Sequence, residues 1–187
     1  MSSRTPTRAG RVTAWPRLTV AAFDRGAEDV LVLDRPPLPE VAAAMVAARV
    51  RGWRAGVATA DIPARVAEAL ADLAHDCPPL AADITGLARS FLAQFGVASA
   101  ELRVEVVDEA SCPKFHCDST RVRLLCTYHG AGTEYVCADA PDAVRAAPTF
   151  GLIFLKGHRH PTHADRVLHR SPPLPAGTKR LCVVLTV

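Results

Sequence analysis

Six of the seven histidines lie at or after residue 116, and the first stands in the run Cys112-Pro113-Lys114-Phe115-His116-Cys117-Asp118. If that run is extended, His116 and Asp118 share a face, because strand side chains repeat every two residues. An imidazole and a carboxylate side by side are two parts of a 2-His-1-carboxylate site. Such a site holds one face of a metal, leaves positions open, and suits non-haem Fe(II) oxygen chemistry. The third ligand must come from elsewhere in the chain. His169, 51 residues beyond Asp118 at the end of Arg166-Val167-Leu168-His169, is the best candidate. Eleven residues later Arg180 opens the last apolar run. Its guanidinium is the residue type that clamps a carboxylate through two parallel hydrogen bonds.

Other residues near this set carry chemistry of their own. Cys112 and Cys117 flank the first ligand pair and would compete as soft ligands, which would favour zinc. His158, His160 and His163 crowd the stretch from Gly157 to Asp165. That stretch reads as a solvated polar loop, a lid or a second metal site. Lys114, Arg121 and Arg123 would attract an acidic substrate, or are solvated or ion-paired. Cys126 and Trp53 read as core, and Arg170 and Ser171 as residues ordering the turn after His169.

The elements that must position these residues fall into two halves. Residues 1–26 lack periodicity and read as a loose arm. Residues 27–187 read as a single domain, mainly helical to residue 100 and stranded from 101 onward. In the first half, Asp29–Asp34 reads as a strand and Glu40–Arg51 as an Ala-rich helix. A further helix opens at Asp61, the expected N-cap, with Pro63 in its first turn and a stripe of Val66, Ala69, Leu70 and Leu73. A third spans about Ala81–Phe95 and is closed by Gly96. In the second half, Leu102–Val107, Arg121–Tyr128, Gly132–Cys137, Gly151–Lys156, Arg166–His169 and Lys179–Val187 read as short strands between turns. The fold class expected is α+β, with N-terminal helices packed on a double-stranded β-helix of the jelly-roll or cupin-like kind.

Composition narrows the function classes. The chain has 187 residues, a formal net charge of +3 and 5% aromatic residues. That charge is too mild, and the aromatics too few, for a nucleic-acid surface. No apolar run reaches the ~18 residues of a membrane span. The N-terminal residues lack the apolar core of a secretory signal. The six cysteines include no C-x-x-C pair and suggest no disulfide framework. A cytoplasmic protein with reduced thiols is the expectation.

The order H-x-D, about fifty residues, then H-x(10)-R resembles the iron/2-oxoglutarate-dependent dioxygenases. Gly132-Thr133-Glu134-Tyr135 and Gly151-Leu152-Ile153-Phe154 resemble core strands of their prolyl-hydroxylase-type members. His169 to Arg180 resembles their closing block, although two residues rather than one separate Gly177 from Arg180. Across the whole chain, the segments CPKFHCDSTRVRLLCTYHGAGTEYV and GLIFLKG with LHRSPPLPAGTKRL resemble a bacterial domain-of-unknown-function family, number eighteen-twenty-six. The dioxygenase resemblance implies that His116, Asp118 and His169 hold Fe(II), that 2-oxoglutarate chelates it, and that Arg180 pairs with the far carboxylate. Tyr128 would add a hydroxyl hydrogen bond if no bulge shifts its parity. The substrate would be an unidentified small molecule or protein. The alternative is a non-catalytic zinc-handling protein on the same scaffold, with a site closed by a fourth ligand.

Overall fold

The last strand shows how the sequence divides the molecule into layers. In Arg180–Thr186 (RLCVVLT) both faces are buried, as the nearly continuous apolar run requires. Leu181, Val183 and Leu185 join one hydrophobic cluster, and Cys182 and Val184 join another. The strand is therefore the middle of a sandwich, with helices on one side and a second sheet on the other.

The computed structural model describes residues 15–187. Along the chain the elements are α1 (Arg17–Arg25), β1 (Val30–Leu33), α2 (Glu40–Ala44), β2 (Arg51–Ala58), α3 (Ile62–Asp72), α4 (Pro78–Phe95) and β3 (Ser99–Val107). There follow β4 (Val122–His129), β5 (Glu134–Cys137), β6 (Ala140–Ala146), β7 (Leu152–Lys156), β8 (Val167–Arg170) and β9 (Arg180–Thr186). A six-stranded sheet has the order β1-β7-β4-β9-β3-β2, and a three-stranded sheet the order β6-β5-β8. All the strand pairings are antiparallel. The fold is thus mixed helix and sheet, as expected.

The helices α3 and α4 form for the reasons the sequence suggests. In α3 the buried stripe is Ile62, Val66, Ala69 and Leu70. Asp61 stands at the N-cap position but makes no cap bond; its Oδ1 accepts the Ala58 N–H at 2.7 Å instead. Helix α4 starts at Pro78, earlier than Ala81, because prolines in a first turn forfeit no intrahelical bond. Gly96 ends it in the left-handed region at φ 61°, where a Cβ would be strained.

Three expectations are corrected. Residues 17–25 of the expected loose arm form α1, which buries Val20 and Phe23 against the large sheet; residues 1–14 of that arm lie outside the described residues. The helix expected to run to Arg51 stops after Ala44, and Arg51–Ala58 is a strand paired with β3 from Arg51↔Val106 to Ala58↔Ser99. Only Trp53 and Val57 of this edge strand are buried, so its two glycines and exposed arginines masked the period-2 signal. Strand β6 was not expected at all. It is an edge strand whose residues are almost all exposed, and edge strands carry weak apolar patterning. The segment from 27 to 100 is therefore not merely helical support, since it supplies both edge strands of the large sheet.

Candidate metal centre

The inner face of the large sheet looks across Leu125, Ile153, Leu155, Cys182 and Val184 to Val167 and Ala147 on the small-sheet side. By the same alternation His169 lies on the side of Val167 in β8, and Arg180 on the side of Cys182 and Val184 in β9. The segment before β4 then adds to the edge of β8. His116 and His169 form an antiparallel bridge with N–H···O bonds of 3.0 and 2.9 Å in the two directions. Residues opposed in such a bridge present their side chains on one face, and the two rings stand 4.5 Å apart. Arg170 anchors the junction. It donates to Glu134 at 2.7 Å and stacks on Phe115 at 4.3 Å, and the Ser171 N–H reaches Cys112 O.

Asp118 completes the group. Its Oδ1 lies 3.6 Å from His116 Nε2, and its Oδ2 lies 3.2 Å from His169 Nε2 and 2.8 Å from Arg123 Nη1. Ligand atoms of the three residues all fall within 4.8 Å of one another. Metal–ligand bonds of ~2.1 Å at right angles put neighbouring donors ~3 Å apart. Asp118 Oδ2 is buried yet finds no aligned hydrogen-bond donor. Its charge is met by the close Arg123 and His169, and a cation at this point would add to that compensation. Donor chemistry and spacing therefore both fit a metal with open positions.

The protonation states suit ligation. His116 Nδ1 lies 2.9 Å from Lys114 O; donation of an Nδ1 proton to that carbonyl leaves Nε2 as the lone-pair donor. Burial pushes His169 below the ordinary histidine value, against the pull of Asp118, so its neutral form is favoured. Burial alone would raise the Asp118 carboxyl. Neighbouring His169, Arg123 and His116 outweigh it and hold the group below the ordinary carboxylate range.

Arg180 is 2% exposed. Its Nε donates to Ala131 O at 2.9 Å, and its Nη2 to the hydroxyls of Thr127 and Thr133 at 3.0 Å each. None of the ion pairs among the described residues includes it. Thr127 and Thr133 carried no distinguishing sequence signal, since hydroxyl residues are ordinary in strands. Of the alternatives open for Arg123, the structure shows the ion-paired one; it shares its strand face with Leu125 and Thr127, which parity alone would show.

Tyr128 is placed differently from expectation. The register of β4 against β9 shifts between Thr127 and His129, and Tyr128 lies in the helix-side cluster with Cys126. Its hydroxyl donates to Asp83 Oδ2 on α4, and Asp83 is held by Arg35 at 2.9–3.0 Å. It cannot assist a ligand between the sheets from there. Cys112 is exposed and joins no ligand group, and Cys117 points away from the triad. His160 is structural: its Nε2 meets Asp24 of α1 at 2.9 Å and its Nδ1 accepts the Thr162 N–H. A cavity of about 250 Å³ beside Arg35 and Asp83 and a cleft of about 540 Å³ beside α3 both lie away from the triad. The donor set, not cavity size, identifies the site.

Comparison with solved structures finds distant likenesses. One is a rice dioxygenase for auxin oxidation, 16% identical, with 95% of this chain and 71% of that one covered and a TM-score of 0.47. Another is a viral collagen prolyl hydroxylase from Paramecium bursaria Chlorella virus-1 in a 2-oxoglutarate complex, 12% identical, covering 85% and 94% with a TM-score of 0.47. A third is a 2-oxoglutarate–Fe(II) oxygenase family oxidoreductase from Burkholderia pseudomallei, 13% identical, covering 99% and 94% with a TM-score of 0.47. No curated protein matches the chain. Residues 8–186 match the family described as protein of unknown function, DUF1826. The chain belongs to the DUF1826 family.

Proposed function

We propose that this chain is a non-haem Fe(II)- and 2-oxoglutarate-dependent oxygenase built on a double-stranded β-helix, acting on a small molecule or a protein. One observation carries the reading. Arg180, a guanidinium with no carboxylate partner among the described residues, is buried on the same inner layer as a His-Asp-His group. A buried cation is costly unless an anion meets it, and the far carboxylate of 2-oxoglutarate is such an anion.

The iron and 2-oxoglutarate, when bound, supply the oxidising chemistry: dioxygen is reduced as 2-oxoglutarate becomes succinate and CO₂, and a substrate C–H bond is oxidised. The residues supply placement. His116, Asp118 and His169 hold one side of the metal. Arg123 keeps Asp118 ionised and fixed in direction. Thr127, Thr133 and the Ala131 carbonyl hold the Arg180 guanidinium in one plane, so little entropy is lost when it grips a carboxylate. Leu125, Ile153, Val167 and Val184 line the inner layer and exclude water. The zinc-handling alternative needs a fourth protein ligand at this centre. Among the described residues no cysteine or further histidine joins the triad, which favours the open, catalytic arrangement. Six unpaired cysteines suit a reducing cytoplasm.

The test is an anaerobic titration of metal-stripped protein with Fe(II) and then 2-oxoglutarate, followed by visible absorption. A metal-to-ligand charge-transfer band on adding 2-oxoglutarate is expected. Its absence, together with tight zinc retention in the protein as purified, would overturn the reading.

A further inference from the structure

The side chain between the two first ligands points the other way. His116 and Asp118 face the triad, and Cys117 between them meets the loop that follows β7. Cys117 Sγ lies 3.9 Å from His163 Nε2, and His158 and His163 pack edge to face with ring centres 5.1 Å apart. One donor atom from each of Cys117, His158 and His163 falls within a 4.8 Å sphere of mutual distances. In a four-coordinate zinc site with Zn–S of ~2.3 Å and Zn–N of ~2.0–2.1 Å, sulfur and nitrogen stand ~3.6 Å apart. The observed separation is a few tenths of an ångström wider than that.

Two further features point to a cation. The His163 side chain is 9% exposed, and its buried Nδ1 has no aligned hydrogen-bond partner, although Asp29 Oδ1 stands 3.4 Å away. A small rotation makes that contact the carboxylate–histidine pair that orients metal-bound imidazoles, with Nε2 left for the metal. On the opposite ring edge, Asp165 Oδ1 lies 3.8 Å from His163 Nε2. Asp165 holds a left-handed backbone at φ 56°, and its exposed carboxylate lies at the rim of the group.

The loop is built to sit here. Gly157 packs so closely that a Cβ would come within 2.5 Å of Asp118 O and 2.3 Å of Thr120 O. The N–H groups of His158 and Arg159 then bond to Asp118 O and Thr120 O. Asp29 accepts the N–H groups of Ala164 and Arg166 at the other end.

We propose that Cys117, His158 and His163 form a second metal site, taking a thiolate- and imidazole-preferring divalent cation of the zinc type, back to back with the His116–Asp118–His169 centre. The cation displaces the Cys117 proton to solvent, and Asp165 or a water fills the fourth position. Because Cys117 lies between His116 and Asp118, this metal braces the backbone that carries two ligands of the other centre. The proposal stands whether or not that other centre takes iron.

Cobalt(II) distinguishes the two sites, because only the second offers a thiolate. Metal-stripped full-length protein, reduced and anaerobic, is titrated with Co(II) and followed by ultraviolet and visible absorption. The wild type should develop a thiolate-to-metal charge-transfer band and the intense visible bands of a four-coordinate ion. Cys117→Ser and the exposed-site variant His158→Gln should lose both while keeping a native circular dichroism spectrum. An Asp118→Ala, His169→Ala double variant should keep them. A wild type without the charge-transfer band would overturn the proposal. So would a band that survives Cys117→Ser at full intensity, since it would then arise from another thiol.

Discussion

Arg180 and Tyr128 are both buried polar side chains beside the same strand pair, and they face opposite layers. That difference predicts opposite consequences. Arg180→Met should leave Fe(II) binding intact and weaken 2-oxoglutarate by about 2–3 kcal/mol, roughly 30- to 150-fold, as expected when one partner of a buried charge pair is removed. The check is a 2-oxoglutarate titration of the iron-loaded variant. Its metal-free stability should change little, because removing a buried unpaired charge offsets the three hydrogen bonds lost. Tyr128→Phe should do the reverse. Loss of the hydroxyl bond to Asp83 should cost about 1–2 kcal/mol in urea denaturation, with 2-oxoglutarate affinity unchanged. Burial, the neighbouring Cys126 and Asp83 keep the Tyr128 phenol well above its usual value, so it is a hydrogen-bond donor and not an acid.

At the scale of elements, the ligand residues depend on two close backbone approaches. One is the bridge between the 116 segment and β8, where His116 and His169 exchange hydrogen bonds. The other is Gly157 against residues 118 and 120. Gly157→Ala should push the Asp118 backbone outward. The variant should lose about 1–3 kcal/mol of stability, the range for overpacking a tight site, and should bind Fe(II) more weakly in the same titration. Gly56→Ala is the control. Gly56 lies in the edge strand β2 and a Cβ there meets nothing within 4 Å, so stability should hold or rise slightly. Helix α1 belongs to this machinery as well: Asp24 holds His160, and the Gly26 carbonyl accepts from Lys156 at 2.7 Å. The helix thereby anchors the start and the middle of the His-rich loop.

Over the whole molecule, acid should destabilise the metal-free protein through buried histidines. His75 is 1% exposed, and neither ring nitrogen has a hydrogen-bond partner among the described residues. Burial lowers its pKa below the model-peptide value of 6.5, and the same cause lowers His160. The unfolded chain therefore takes up protons at these positions from about pH 6.5 downward while the folded chain does not. With more protons bound in the unfolded state, stability rises with pH and falls as pH drops through 6.5 toward the folded values. Urea midpoints at pH 5.5 should lie below those at pH 7.5, and the gap should narrow in His75→Leu. No helix among the described residues is long and apolar enough to cross a membrane, and the apolar residues instead fill the two clusters on either side of the large sheet.

Much of this was legible from the chain alone because it depends on short-range periodicity. The alternation of β3, the short apolar runs of β4, β7 and β9, the stripe of α3, and the closing Gly96 are local patterns set by backbone geometry. His116 and Asp118 share a face for the same reason, and the order of polar residues marked His169 and Arg180 as their companions. Edge strands β2 and β6 escaped notice because half or more of their residues face solvent, so burial does not sort their sequence into a pattern. Helix α1 was missed because its stability comes from packing Val20 and Phe23 against distant residues. Tertiary structure alone decided which layer Tyr128 faces: it keeps the alternation of Val122, Leu124 and Cys126 in the helix-side cluster, while the bend at residues 119–121 breaks the parity between Asp118 and β4. It also decided that Arg123 serves Asp118 and that Cys117 turns to His158 and His163. The Cys117 contact joins residues 46 positions apart, and Arg123 reaches Asp118 across the bend before β4; the folded backbone sets both.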